Sequence, residues 1–213
     1  MQKKIIFYIL LFLFSCNKIP DSIGNNNDLI IVTSAEDKDY IVPYIEGIVN
    51  LTVNTPIEES IFNIKWVDAK DFFQYKFQKN IFLISLKQPI DKTSDLLIKK
   101  ISQSKDNKLL AVNDVFAKDQ LIVILNAFDS IQLKKIVNDN YDWIFNTLDH
   151  RVLERYYTRV VRSKLNKGIM DTIINKFKID LSIDENYKIL KDDEKFLWIG
   201  RGYPYRWIMI NYL

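Results

Sequence analysis

The sequence predicts an α+β fold: a mixed β-sheet with helices packed on a face, a long helix followed by a shorter one, and a C-terminal antiparallel strand meander. Three observations predict it. Apolar or alternating runs of strand length recur between residues 28 and 126. One apolar stripe at helical spacing then extends from about residue 130 to residue 162. Strand-length runs separated by turn residues return after residue 187, and strands segregated from helices are typical of this class.

The first part of the chain supplies the strands of the mixed sheet. The predicted strands occupy residues 28–33, 62–67, 81–86, 109–116 and 121–126. The first contains a continuous apolar run over residues 29–32, which indicates a strand covered on both faces. The last two are joined by a short polar turn and should pair as an antiparallel hairpin. Residues 40–51 and 95–102 are predicted to be helical.

The helical part follows, and the meander ends the chain. Asp129 or Ser130 can cap the long helix. Its apolar stripe consists of Leu133, Val137, Tyr141, Ile144, Leu148, Val152, Tyr156 and Val160. The shorter helix, over residues 166–177, should bury Ile169, Ile173, Ile174 and Phe177. Strands are predicted over residues 187–190, 196–199 and 207–212.

The N-terminus has the pattern of a bacterial lipoprotein leader. Two lysines precede an uninterrupted apolar run over residues 5–14. Its length suits a signal-peptide core of roughly 7–15 residues and falls short of the roughly 20 that span a bilayer. Ser15 and Cys16 then resemble the lipobox, where the leader is removed and the cysteine receives an acyl chain such as palmitate. We expect a signal peptide over residues 1–15 and a lipid on Cys16; an ordinary signal peptide with an incidental cysteine is the alternative.

The segment after the cysteine is predicted to be a tether. Residues 16–27 contain Pro20, Gly24 and three consecutive asparagines, and little that could be buried. Residues 28–213 should then form the α+β domain. The bilayer is the expected partner through acylated Cys16, and the expected location is the cell envelope. The outer membrane is favoured over the inner one because Asn17 is no retention signal by the enterobacterial rule.

The charge of the chain argues against nucleic acid as a partner. Removal of the leader takes away two of the 30 basic residues, which leaves 28 against 27 acidic ones. A nucleic-acid binder needs a marked basic excess.

Four arginines form the most distinctive charged pattern. Arg151, Arg155, Arg159 and Arg162 lie at spacings of four, four and three, so they share one side of the long helix. They are candidates for binding anionic lipid head groups or acidic glycans. The alternative is a solvated face that pairs with acidic side chains such as Asp184.

No catalytic set emerges from the polar residues. His150, the only histidine, has Asp149 beside it, but no serine or cysteine nucleophile motif accompanies it. One histidine without a free cysteine does not supply the three or four ligands of a typical zinc site, and we expect neither metal nor cofactor. Gly200 and Gly202 lead into a strand, so they are predicted to supply positive φ in a hairpin turn and not to bind a nucleotide.

Aromatic residues form two groups. Phe72, Phe73, Tyr75, Phe77 and Phe82 are predicted to be core residues. Tyr203, Tyr205 and Trp207 follow a turn at a sheet end and are candidates for an exposed aromatic binding patch.

Residues 196–202 (Phe-Leu-Trp-Ile-Gly-Arg-Gly) and 203–207 (Tyr-Pro-Tyr-Arg-Trp), together with the lipobox and residues 24–32, resemble an uncharacterised domain-of-unknown-function family of lipoproteins found in Bacteroidota. The resemblance implies an envelope location and no known activity. It also implies that members continue past the aromatic strand, so this chain, which stops at Leu213, is expected to lack a C-terminal portion. Asp21-Ser22-Ile23 resembles the O-glycosylation signal of the same bacteria, which makes Ser22 a candidate glycosylation site.

The function expected from these patterns is non-enzymatic. A lipid anchor without a recognisable catalytic set is typical of an envelope lipoprotein that serves as a binding or scaffolding module for an envelope protein or glycan. The alternative is a hydrolase that acts on an envelope polymer through paired carboxylates in a cleft.

Overall fold

The computed structural model describes residues 19–54, 56–88, 90–102, 108–162, 164–202 and 205–212. These residues divide into two compact units: unit 1 contains the described residues up to Arg151, and unit 2 begins at Val152. The boundary falls within the long helix, whereas the sequence pattern had indicated one domain over residues 28–213. The signal peptide of residues 1–15 and Cys16 lie outside the described residues.

Unit 1 is built on a five-stranded mixed sheet. Its strands are β1 (Asp28–Thr33), β4 (Asn63–Asp68), β5 (Asn80–Leu86), β6 (Leu109–Asn113) and β7 (Leu121–Ala127). Their order is β4-β1-β5-β7-β6. The first four in that order run parallel, and β6 pairs antiparallel with β7, as the predicted hairpin requires. Every residue of β5 and β7 is buried, as expected for parallel strands covered on both faces.

Helices link the strands of this sheet and follow the last of them. They are α1 (Lys38–Val49), α2 (Phe72–Tyr75), α3 (Thr93–Ile101), α4 (Ser130–Asp139) and α5 (Tyr141–Arg162), and a small hairpin of β2 (Thr52–Asn54) and β3 (Glu58–Ser60) follows α1. Alternate residues of β1, β5 and β7 pack on Phe72 of α2 and on Leu97 and Ile98 of α3. On α1, Ile41, Ile45 and Ile48 are buried at helical intervals. The predicted packing of helices on a face of the sheet is thus confirmed.

The long helix predicted from about residue 130 to residue 162 is two helices, α4 and α5. They meet at Asn140, whose φ of −129° and ψ of 22° are not helical. The Asn140 side-chain amide donates to the Ile136 carbonyl at 2.8 Å, so it caps the end of α4. The Asn140 carbonyl then accepts the Ile144 N–H at 2.9 Å and begins α5. The apolar stripe continues across the break because Ile144 and Leu148 are buried like Leu133 and Val137.

Unit 2 contains the C-terminal meander. A short helix, α6 (Lys167–Phe177), precedes β8 (Lys188–Asp193), β9 (Phe196–Arg201) and β10 (Arg206–Asn211). Both strand pairs are antiparallel, in the order β10-β9-β8, which confirms the predicted meander. Three α6 residues, Ile169, Ile173 and Phe177, pack on Leu197, Ile199 and Ile210. Ile174 was also expected to be buried but is exposed.

The segment 20–23 is bonded to unit 1. The Pro20 carbonyl accepts the Lys118 N–H at 2.8 Å, and the Ser22 N–H donates to the Lys118 carbonyl at 3.1 Å. The Ile23 N–H donates to the Phe77 carbonyl at 2.9 Å. Residues 20–23 are therefore part of the fold, although the sequence pattern had placed them in a tether over residues 16–27.

Candidate functional site

A polar cleft lies at the amino-terminal edge of the parallel strands of unit 1. Asp28 begins β1, Asn63 begins β4, and the two residues are register partners. The cleft has a volume of about 360 Å³. It is lined by Asp28, Ile30, Asn63, Ile64, Lys65, Tyr75 and Gln78. Its volume is in the lower part of the range for small-molecule sites, about 300–1,000 Å³.

Asp28 is held in its charged form on one side of this cleft. Burial raises the pKa of the Asp28 carboxyl, but hydrogen bonds and the nearby Lys79 ammonium outweigh burial and hold that pKa below its ordinary value. The Asn25 N–H donates to Oδ2 at 2.7 Å, and the Asn63 side-chain amide donates to Oδ1 at 3.1 Å. A carboxylate bound in this way positions the turn before β1 and is poorly suited to donate a proton.

Lys65 supplies the positive group of the cleft. Its ammonium lies 4.6 Å from the centroid of the Tyr75 ring, which is a cation–π distance. Lysine, amide and phenol groups over an apolar floor suit a small polar ligand. Among the described lining residues, Asp28 is the single carboxylate, so the cleft does not present the facing pair of acids that the hydrolase alternative requires.

A second polar cluster, the carboxyl-edge cluster, lies at the opposite, carboxyl-terminal edge of the sheet and consists of Ser34, Asp37, Asp91, Thr93 and Ser94. Ser34, which follows β1, has its Oγ 3.1 Å from the Asp91 carbonyl oxygen and 3.0 Å from Ser94 Oγ. Ser34 Oγ also accepts the Ser94 N–H at 3.1 Å. Crevices beyond the carboxyl ends of parallel strands are where open α/β sheets bind ligands. Here the crevice is filled, because Ser34 and Ser94 are buried and satisfy each other.

Two acids complete this cluster. Asp91 accepts the Thr93 hydroxyl at 2.6 Å and the Thr93 N–H at 2.8 Å, and its Oδ2 lies 3.1 Å from the Lys70 ammonium. The Thr93 hydrogen bonds, followed by Lys70, hold the pKa of Asp91 well below its usual range. Asp37 is buried; its Oδ1 accepts the Ile90 N–H at 2.9 Å.

The hydrogen bonds of this cluster join two loops, residues 34–37 after β1 and residues 90–94 before α3. Asp37 Oδ2 has no hydrogen-bond partner in the part of the chain that the structure describes. In that same part, no group of three or more histidine, cysteine, aspartate and glutamate residues is arranged to hold a metal ion. The hydrogen bonds instead tie the turn after β1 to the loop that precedes α3.

Sequence reasoning did not single out either polar cluster. Asp28, Asn63, Ser34 and Asp91 all lie at the ends of strands or in the loops that follow them. Polar residues that flank apolar strand runs were the available signal, but it identifies a cluster only when the strand order is known.

The four arginines of the long helix have different surroundings. Arg151 Nη2 lies 3.0 Å from Asp119 Oδ1, and Arg155 is 6% exposed. Arg159 and Arg162 are exposed. The exposed basic stripe expected from the sequence is thus reduced to two arginines at the end of α5, and Asp184 pairs with Arg201 at 2.8 Å instead. His150 is exposed on the same helix.

The aromatic patch expected after the Gly200 turn is formed by Tyr205 and Trp207. They are 72% and 61% exposed, and their rings stack with centroids 6.4 Å apart. Met209 is exposed on the same face of β10, since alternate strand residues share a face. Tyr203 lies outside the described residues. Of the other aromatic group, Phe72 and Phe82 are buried, as predicted, but Phe73 is exposed.

Gly200 leaves room for the Trp207 side chain of this patch because it has no side chain of its own. A Cβ at Gly200 would lie 2.6 Å from Trp207 Cδ1 and 2.8 Å from Leu190 Cδ1, so only glycine lets these side chains lie across β9. Among the described glycines, Gly24 has a positive φ. The prediction that Gly200 and Gly202 supply positive φ is therefore wrong.

A family model matches residues 22–161, which is more than half of the chain. The chain belongs to the family Domain of unknown function (DUF8532). The DUF8532 match includes the polar cleft and the carboxyl-edge cluster and ends within α5, before the meander. No curated protein and no solved structure matches the chain.

The DUF8532 match shows the expected membership in a family of unknown function. Of the segments on which the resemblance was based, residues 24–32 lie within the match, whereas residues 196–207 and Cys16 lie outside it. Within the residues that the structure describes, no helix is both long and apolar enough to cross a membrane. Ser22, the candidate glycosylation site, is half-buried, and its N–H is bonded to Lys118.

Proposed function

We propose that this protein is a lipid-anchored lipoprotein of the cell envelope that serves as a binding module. The anchor is supported by the order of basic residues, apolar run, Ser15 and Cys16 at the N-terminus. A single acyl chain binds a membrane only marginally, so stable attachment needs more than one chain or an added protein contact. The outer membrane is the proposed location.

Metabolic labelling tests the anchor. Cells that produce the protein and receive labelled palmitate should incorporate the label into the wild type, and Cys16→Ser should abolish it because serine lacks the thiol. The matched control is Ser15→Ala, which keeps a small residue before the cysteine and should still be labelled. Density-gradient separation of the two membranes then tests the location. Unlabelled wild type, or a Cys16→Ser protein that stays membrane-bound, would refute the anchor.

The binding role rests on the stacked pair Tyr205 and Trp207. Large aromatic rings left exposed together on a sheet face are typical of recognition surfaces, because they bury much apolar area at little conformational cost. A flat, stacked pair suits the apolar face of a sugar ring, and glycans are abundant in the envelope. The proposed ligand is therefore an envelope glycan.

Co-sedimentation with purified envelope glycans tests this role. Trp207→Ser should weaken binding by about tenfold or more, as expected when a contact worth about 1.4 kcal/mol is lost. Tyr157→Ser is the matched control, since Tyr157 is 66% exposed on α5 and lies outside the patch. Equal binding by the two variants would refute the role of the patch.

A further inference from the structure

We infer that unit 1 rests on the bilayer with the amino-terminal edge of its parallel strands, so that Ile23, Phe73 and Lys76 contact the head-group region. This inference rests on the proposed acylation of Cys16. Its first support is the docked segment of residues 20–23, because the bonds to Lys118 and Phe77 join the chain to that edge. Lys118 precedes β7 and Phe77 precedes β5.

The reach of the chain restricts the orientation. Only four peptide units separate Cys16 from Pro20, and even fully extended they span at most about 14 Å. The parallel strands keep their two edges farther apart than that, since the seven residues of β5 rise about 3.3 Å each. A lipid on Cys16 therefore holds the amino-terminal edge near the bilayer and leaves the carboxyl-terminal edge farther away.

The side chains at this edge fit a membrane interface. Ile23 is 51% and Phe73 is 60% exposed, although both are apolar. The Lys76 ammonium lies 4.8 Å from the Phe77 ring centroid and 5.7 Å from that of Phe73. Such a lysine can lay its stem along these rings while its charge stays among the head groups. The apolar side chains then add a protein contact with the bilayer to the proposed lipid anchor.

The amino-terminal edge carries both positive and negative side chains, and this mixture indicates how the edge would contact the bilayer. Segments 20–23, 76–79 and 114–120 carry three lysines, Lys76, Lys79 and Lys118, and three aspartates, Asp21, Asp114 and Asp119. An excess of positive charge would favour anionic lipids and would be screened by salt. The balanced set predicts a contact made mainly by apolar insertion, which salt weakens little.

Depth measurements on the lipidated full-length protein test the orientation. A fluorophore is attached to Lys118→Cys at the amino-terminal edge or, as the matched control, to Lys92→Cys in the loop before α3 at the carboxyl-terminal edge; both lysines are exposed. The vesicles carry a head-group quencher. Because the two edges are about 20 Å apart, the label at position 118 should be quenched at least about twofold more strongly. Equal quenching, or stronger quenching at position 92, would overturn the inference.

A second pair of variants tests whether the docked segment sets the orientation. The double variant Ser22→Pro/Ile23→Pro removes the N–H groups that donate to the Lys118 and Phe77 carbonyls, which loosens residues 20–23, so the tether lengthens and the difference in quenching should shrink. The matched control Ser22→Ala/Ile23→Val keeps both N–H groups and should retain the difference. Flotation with the vesicles is measured on every sample. Loss of flotation by the wild type would refute the proposed anchor, whereas flotation without the difference would refute only this orientation.

Discussion

Gln120 is the side chain whose removal should most clearly loosen the edge of unit 1 that holds residues 20–23. It is fully buried and makes three hydrogen bonds to backbone groups. Its Nε2 donates to the Lys76 carbonyl at 2.7 Å and to the Gln78 carbonyl at 2.8 Å, and its Oε1 accepts the Phe116 N–H at 3.0 Å. These bonds tie the loop before β7 to the segment before β5.

The substitution Gln120→Leu keeps much of the volume and removes all three bonds. Each buried group left without a partner costs about 1–3 kcal/mol, and groups that water can reach after small movements lie at the low end. The expected loss of unfolding free energy for unit 1 is therefore about 3 kcal/mol. Gln132→Leu is the matched control. Gln132 Oε1 accepts a single exposed bond, from the Phe128 N–H at 2.7 Å, so its loss should cost under about 1 kcal/mol.

Native-state hydrogen exchange measures this loss without assuming that both units unfold together. The amides of β7 should lose about 3 kcal/mol of protection in Gln120→Leu and much less in Gln132→Leu. The Phe116 amide should lose protection first, because it is the donor that Gln120 satisfies. Unchanged protection of Phe116, or equal losses in the two variants, would refute this account of the edge.

Three further predictions concern single residues. Thr93 holds the pKa of Asp91 below its ordinary value of 3.8, so the stability that Asp91 contributes is present above pH 3.8 and is lost as the pH falls further. The urea midpoints of wild type and Asp91→Asn should therefore differ at pH 7 and converge in strong acid. Gly200→Ala should destabilise unit 2 by about 1–3 kcal/mol, because its Cβ would meet the indole of Trp207 at 2.6 Å; unaltered exchange of β9 amides would contradict this. Gly24→Ala, at a φ of +94°, should lower the protection of the Ile23 amide, and a fully protected amide would show that the strain is absorbed elsewhere.

The fold class followed from the sequence because its strands are marked by local patterns. The runs at residues 29–32 and 81–84 are apolar throughout, and the structure buries every residue in them. The hairpin of β6 and β7 was predictable because a short turn joins its strands. The parallel order of the other strands was not, since β1 pairs with β4 across α1 and a small hairpin. Pairing between distant segments depends on how the whole chain packs, which no local pattern records.

The helix break at Asn140 illustrates a different limit. The apolar stripe runs through it in register, so periodicity alone predicts one helix. Asparagine is a weak helix former that can also bond to the preceding turn, and here its side-chain amide caps Ile136. A single asparagine within a helical pattern is compatible with both outcomes.

The carboxyl-edge cluster could not be predicted from the sequence, because its members are far apart along the chain. Ser34 meets partners that lie 57 and 60 residues further along the chain, and Asp37 meets one that lies 53 residues further. In the sequence these residues are ordinary polar positions after a strand. Their burial becomes meaningful only when the crossover from β4 to β5 places the two loops side by side.

The residues of the turn before β1 are compatible with two different structures, a flexible tether and a tight turn. Glycine and consecutive asparagines are typical of a flexible tether, and they are equally typical of a tight turn with a positive φ. Asp28 decides between the two, because its carboxylate accepts the Asn25 N–H at 2.7 Å and closes the turn. The charged form of Asp28 is also the stronger acceptor, which explains why the bond and the lowered pKa occur together. A closed turn at this point joins the preceding residues to the sheet edge, so four peptide units instead of twelve separate Cys16 from the folded unit.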